Sequence, residues 1–186
     1  MAVVSAGALR ERVELLSFGE TEVGFGWQVR KGTWARAELS EKTNLFSKVG
    51  VGARQVVFTL RRQPLSLHEA IRWRGRHCFL TSIVPDGLGH LTVSAALVDL
   101  VPCVGRANKT PRGPAFPGVL TEKYLKHDQE TPMATNTLTY VLVTPKAVAL
   151  EPGPLVEVGG TACKVTVAHT LDAYKNEYEI TRKGDL

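Results

Sequence analysis

Trp73-Arg74-Gly75-Arg76-His77-Cys78-Phe79-Leu80-Thr81 returns, diverged, as Val158-Gly159-Gly160-Thr161-Ala162-Cys163-Lys164-Val165-Thr166. A glycine, a cysteine and a threonine match at one offset of about 85 residues. Upstream, Glu38-Leu39-Ser40-Glu41-Lys42 aligns with Val119-Leu120-Thr121-Glu122-Lys123 at an offset of about 81, which asks for a loop of about four residues to differ between the copies. A repeat is settled first, because missing it mis-assigns the whole fold. Two copies are too few for a solenoid. Two small β-barrel or sandwich units in tandem fit the pattern.

The residues around the repeat agree. Leu9 to Leu16 alternates Val13 and Leu15 with Arg12 and Glu14, as a half-buried strand does. Residues 17–26, with Gly19, Gly24 and Gly26, read as a flexible loop. Thr33 to Leu39 reads as a strand, and Gln55 to Arg61 as another with Val56, Phe58 and Leu60 on one face. Ile71–Trp73 and His77–Val84 form a hairpin around Arg74-Gly75-Arg76, and Leu155–Val158 and Ala162–Val167 form one around Gly159-Gly160. Leu91–Val98, Asn136–Val143 and Asn176–Ile180 complete the strands, and at most one short helix is expected, near Leu120 to Lys126. The fold class is mostly β with little helix. Residues 102–118, with Pro102, Pro111, Pro114 and Pro117 among glycines and basic groups, read as a semi-extended basic linker. The expected domains are 1–101, then the linker 102–118, then 119–186.

Composition narrows the class. The 186 residues suit one large or two small domains. No apolar run approaches the ~18 residues of a membrane span, and the N-terminus reads as no secretion signal. Three cysteines, Cys78, Cys103 and Cys163, are too few and too odd for a disulfide framework and suit a reducing compartment. Cys78 and Cys163 read as core filler. Asn108-Lys109-Thr110 matches a glycosylation sequon without the context that would give it meaning. Residues 1–103 carry 13 Lys+Arg against 9 Asp+Glu and the remainder 10 against 9, so the basic excess sits in the first half. That suits an anionic neighbour, or a solvated surface of mixed charge.

No catalytic constellation is legible. There is no Gly-x-Ser-x-Gly elbow, phosphate loop or Cys-x-x-Cys pair. The five histidines are scattered, and His77 and Cys78 point to opposite faces of a strand, so they share no metal. Glu177 and Glu179 share a strand face with nothing evident to pair with them. The expectation is a protein that is not an enzyme and uses no cofactor. Arg72, Arg74 and Arg76, at spacing two, form a stripe that suits phosphates or an ordinary exposed face. Trp73 between them is expected to pack inward.

Leu9-Arg10-Glu11-Arg12-Val13-Glu14-Leu15, Gly26-Trp27, Thr33-Trp34-Ala35-Arg36-Ala37-Glu38, Val56 to Arg61 and Ile71 to Thr81 occur in that order. Over about residues 9–100 this pattern resembles the bacteriophage head–tail joining family, the small β-barrel head-closure or stopper proteins of tailed phages. The resemblance implies a structural ring protein, a hexamer or dodecamer, in the virion neck, assembled in the host cytoplasm. Its partners would be portal and adaptor proteins, tail terminator or tail tube proteins, and genomic double-stranded DNA passing through the lumen without sequence readout; no membrane is involved. The loop after the Trp-Ala-x-x-Glu strand would project into the channel. Here that loop is Ser40 to Arg54, with Lys42, Phe46, Lys48, Gly50, Gly52 and Arg54 as candidate channel residues, the cations meeting phosphates and the glycines permitting movement. The second unit exceeds the usual family length and reads as a diverged partner with an interface role. The other readings are a tail terminator or minor tail protein, and a DNA-binding β-barrel acting outside a virion.

Overall fold

The computed structural model describes residues 6–44, 46–47, 50, 52–87, 89–106, 113–123 and 139–183, without the side chains of 6 and 42–44. The chain divides into two compact units. Unit 1 comprises Met1–Gly19, Trp27–Phe46 and Gly52–Asp99; unit 2 comprises Glu20–Gly26, Ser47–Val51 and Leu100–Leu186. Two excursions of the N-terminal half therefore belong to unit 2.

Unit 1 is built from β1 (Glu11–Thr21), β2 (Gly24–Asn44), β3 (Ala53–Arg61), β4 (Ala70–Trp73), β5 (Arg76–Asp86) and β6 (His90–Val98). Their order is β1-β4-β5-β6-β3-β2, and β1 also pairs with β2, so the ladder closes on itself. Unit 2 is built from β7 (Val101–Arg106), β8 (Ala115–Glu122), β9 (Thr139–Pro145), β10 (Leu155–Val158), β11 (Thr161–His169) and β12 (Lys175–Arg182). Its order, β8-β7-β10-β11-β12-β9 with β8 also paired to β9, closes as well. Adding six to each label of unit 1 reproduces the cyclic order of unit 2. Closure leaves neither ladder with an edge strand.

The downstream sequence match is structurally equivalent in every detail. Both hairpins turn on two residues with positive φ: Arg74 at 50° and Gly75 at 76°, Gly159 at 55° and Gly160 at 83°. That is the I′ geometry that suits the right-handed twist of paired strands. Trp73 pairs with Arg76 and Val158 with Thr161. A register shift follows in each copy, between Leu80 and Ser82 and between Val165 and Val167. The matched threonine sits inside it. Thr81 Oγ1 donates to the Ser94 carbonyl (3.1 Å) and Thr166 Oγ1 to the Glu179 carbonyl (3.0 Å), again at the downstream offset.

The upstream match lies on equivalent strands but two residues off. Phe58 pairs with Val93, and Leu142 with Tyr178, so Phe58 and Leu142 correspond. Ala37 faces Phe58 and Leu120 faces Leu142, which makes Ala37, not Leu39, the counterpart of Leu120. The length difference is then spread over two connections. Ala37–Phe58 is one residue shorter than Leu120–Leu142, and Phe58–Val93 one shorter than Leu142–Tyr178.

Alternation fills the interiors. In unit 1, Val13, Leu15, Val56, Phe58, Leu60, Ile71, Cys78 and Val93 are fully buried, with Trp73 edge-on to Phe58 at 6.0 Å. In unit 2, Tyr178, Ile180 and Leu142 are fully buried. The Tyr178 hydroxyl donates to the Val148 carbonyl and accepts from Leu150 N–H, both at 3.0 Å, and Asn176 Nδ2 donates to the same Val148 carbonyl at 2.8 Å. All three cysteines are buried and none is in a disulfide among the described residues; burial pushes the Cys78 and Cys103 thiols up to about 12.

Three expectations are corrected. Residues 17–26 are not a flexible loop: β1 runs to Thr21 and β2 starts at Gly24. Within residues 102–118, 102–106 and 115–118 are strand rather than linker, because β7 and β8 pair with Pro102 opposite Pro117; 107–112 lie outside the described residues. The Pro102 carbonyl accepts from Gly159 N–H (2.9 Å), on the side away from β8, so the missing proline N–H costs no β7–β8 bond. Gly113 provides close approach rather than looseness; a Cβ there would lie 2.5 Å from the Gly105 carbonyl oxygen. The expected helix is strand from Leu120 to Glu122, and residues 124–126 lie outside the described residues.

Replacing either bulge threonine by valine removes one hydrogen bond at constant shape. Thr81→Val and Thr166→Val are each expected to lower stability by about 1 kcal/mol, measured by urea denaturation.

Candidate functional site

The arginine stripe is neutralised. Arg72 pairs with Glu14 across β4 and β1. Arg74 Nη2 donates to Glu11 Oε1 (2.6 Å), and Arg76 lies 3.2 Å from Asp99 Oδ1. Glu11 also accepts from Trp73 Nε1 at 3.2 Å, while the Arg74 guanidinium sits 4.7 Å from the Trp73 ring centre. Hydrogen bonds from Arg74 and Trp73 hold the Glu11 carboxyl below its ordinary value. The same contacts secure Arg74 in the left-handed backbone region, which disfavours any side chain larger than glycine. As a bare cationic stripe for phosphates, Arg72, Arg74 and Arg76 are therefore corrected: each carries its own carboxylate. Trp73 packs inward, 7 % exposed.

The expected channel loop is also docked where it is described. Ser40 and Glu41 continue β2, and Ala53 and Arg54 open β3. Phe46 is buried in unit 1 and stacks on Phe79 at 6.5 Å. Ser47 and Gly50 are buried in unit 2. Phe46 and Gly50 are thus withdrawn from solvent rather than presented to a lumen. Arg54 is exposed and Gly52 half-buried. The Lys42 side chain and Lys48 lie outside the described residues.

Ser47 is held by Glu177, one of the two carboxylates for which the sequence shows no partner. Alternation sends Tyr178 and Ile180 inward and Glu177 and Glu179 outward on β12, yet both carboxylates are buried, 2 % and 8 % exposed. Ser47 Oγ donates to Glu177 Oε2 (2.7 Å) and accepts from Gly50 N–H (2.7 Å). Lys175 Nζ lies 3.7 Å from Glu177 Oε1. Lys123 Nζ donates to Glu179 Oε2 (2.7 Å), and His169 Nε2 lies 3.1 Å from Oε1. Burial alone would raise the Glu179 carboxyl; Lys123 and His169 outweigh it and hold the carboxyl below its ordinary value. Gly50 bridges Lys123 in antiparallel pairing. A Cβ at Gly50 would stand 2.3 Å from Thr121 Cγ2, so glycine is required there by close approach, not by movement. Sequence reasoning missed this cluster because Ser47 and Glu177 lie 130 residues apart.

In unit 1 an aromatic group surrounds one histidine. His77 is 6 % exposed, 4.8 Å from the Trp27 ring and 5.4 Å from Phe79, with Phe18 edge-on to Trp27. His77 Nε2 and Trp27 Nε1 are buried with no hydrogen-bond partner among the described residues. Burial, aided by the Arg72 charge, lowers the His77 pKa to about 4, so the ring is neutral in the fold.

The unbalanced charge lies elsewhere. Arg10, Lys31, Arg61 and Arg62 line a cavity of about 790 Å³ together with Trp34 and Gln63. Among the described residues none of these cations has a carboxylate within the 4.0 Å of an ion pair. Also among the described residues, no three His, Cys, Asp or Glu are placed to hold a metal ion, and no helix is long and apolar enough to cross a membrane. Compared with family models, curated proteins and solved structures, the chain matches none.

Two outcomes follow from this geometry. Gly50→Ala is expected to cost about 1–3 kcal/mol by overpacking against Thr121, and adding Thr121→Ser, which removes Cγ2, to recover most of it in urea denaturation. The neutral His77 has a folded pKa below its unfolded value of about 6.5, so the unfolded chain takes the proton first as pH falls. Its contribution to stability is full above that value and is lost as pH drops toward 4, a loss of roughly 3 kcal/mol. His77→Phe is expected to remove this part of the pH dependence in denaturation curves.

Proposed function

We propose that the protein is a structural head–tail connector of a tailed bacteriophage, a subunit of the head-closure ring between portal–adaptor and tail. The observation that carries this reading is where the resembling residues fall. Leu9 to Leu15, Trp34 to Glu38, Val56 to Arg61 and Ile71 to Thr81 lie at or on β1, β2, β3 and the β4–β5 hairpin of unit 1. They are successive staves of one closed barrel. The Trp-Ala step has a physical meaning in it: Ala35 is fully buried, while Trp34 beside it points outward, 57 % exposed. A ring subunit must present side chains outward while its ladders stay satisfied, and both barrels of this chain are closed.

In this reading unit 1 forms the channel wall and unit 2, a second copy of the same barrel, supplies an interface to a neighbouring neck or tail protein. Phe46, Ser47 and Gly50 are buried in the folded chain, and any role in closing the channel requires Ser47 to leave its bond to Glu177. Contacts of one subunit are weak and gain strength by multiplicity in the ring.

The test is the mass of the purified chain, alone and with a portal–adaptor complex of the same phage. The expected outcome is a closed ring, hexameric or dodecameric, seated on that complex. A chain that stays monomeric in its presence overturns the reading.

A further inference from the structure

Two sets stand out among the described cations of unit 1. Arg30, Arg36, Arg72, Arg74 and Arg76 each meet a carboxylate: Glu69, Glu38, Glu14, Glu11 and Asp99. Arg10, Lys31, Arg61 and Arg62 meet none among the described residues and converge on one cavity. Arg12 is near them: a Cβ built on Gly32, which lines the cavity, would lie 3.8 Å from its Nη2. Gathering like charges raises the energy of the free protein and is relieved by a bound anion.

The backbone fixes these groups in place. Lys31 and Trp34 lie on β2, and Arg61 ends β3. Arg62 N–H donates to the Gly89 carbonyl at 2.8 Å, and Arg10 Nε to the Gly7 carbonyl at 2.9 Å. Trp34 stands beside them with over half its surface in water, because its neighbour Ala35 takes the inward position. We infer that this cavity binds the phosphodiester backbone of nucleic acid, with Trp34 as a stacking platform for an adjacent base.

Each part has its chemistry. Guanidinium forks match phosphate oxygens in pairs. An exposed indole among cations is the arrangement that holds unpaired bases without reading their sequence. A run of protein carboxylates would satisfy the cations but leave Trp34 with nothing to stack on. The site differs from the Arg72–Arg76 stripe and from the Ser40–Arg54 segment. It stands on the cavity alone, whether the chain is a ring subunit or a free barrel.

The test is fluorescence anisotropy of the full chain with a labelled ~20-nucleotide DNA, single-stranded and duplex, between about 50 and 200 mM salt. Four neutralised phosphates give a slope of log K against log salt of about −3 to −4. Arg61→Ala with Arg62→Ala is expected to make the slope shallower by about two, and Lys31→Gln by about one. Trp34→Ala should weaken single-strand binding about tenfold and leave the slope unchanged. Arg76→Ala, from the neutralised set, should leave both unchanged. All variants alter exposed side chains, and circular dichroism checks their folding. No DNA binding, or a slope that Arg61→Ala with Arg62→Ala does not change while Arg76→Ala does, overturns the inference. So does a polyglutamate peptide that binds as tightly as DNA and is indifferent to Trp34→Ala, which would assign the cavity to an acidic protein segment.

Discussion

Each ladder closes on itself, and the rest of the structure depends on that closure. Once β1 pairs with β2, and β8 with β9, every strand has two neighbours and one face of every strand must point inward. A one-residue slip would turn a whole strand inside out, so register is held wherever the interior is filled. Phe58 and Trp73 fill it in one unit, Tyr178 and Leu142 in the other. The register shift before Ser82 recurs before Val167, and at both places the strand takes up one extra residue. A threonine hydroxyl satisfies the backbone there in both copies.

The two interiors differ in side chains but both stay apolar; the outer surfaces differ in charge. Unit 1 carries one set of arginines each tied to a carboxylate, and around Trp34 a set of cations with no carboxylate partner among the described residues. Unit 2 buries two carboxylates on the outer side of β12: Glu177 accepts from Ser47, which in turn holds Gly50, and Glu179 pairs with Lys123. A buried carboxylate is tolerated only when hydrogen-bonded or paired, and Glu179, between Lys123 and His169, has both. The proposed division of labour, channel wall and interface, follows this difference in surface and not any difference in fold.

What was legible in the sequence was whatever depends on local geometry. The hairpin match carries a turn glycine, a core cysteine and a bulge threonine, each fixed by its own backbone position, and all three proved equivalent. The strands with clean alternation, such as Val56-Phe58-Leu60, were legible for the same reason. The proline-rich stretch was not, because whether a proline suits a strand depends on which way its carbonyl faces, and Gly159 lies far away in sequence. Glu177 and Glu179 were not, because Ser47, Lys123 and His169 come from three separate segments. The arginine stripe misled because spacing on a strand reveals which side chains share a face but not which carboxylates stand opposite; Glu11 and Glu14 arrive on β1. The Arg61-Arg62 pair was legible as basic, but the cavity around Trp34 was not, because its cations lie on three separate segments that only the fold brings together.

The central claim is that unit 1 is the barrel of a connector ring around DNA. A cryo-electron microscopy reconstruction of the assembled phage neck tests it most directly. The account predicts a closed ring of this chain between portal–adaptor and tail, with the unit 1 barrels around the DNA channel. A neck whose density is filled by other proteins, with this chain absent from it, would contradict the account.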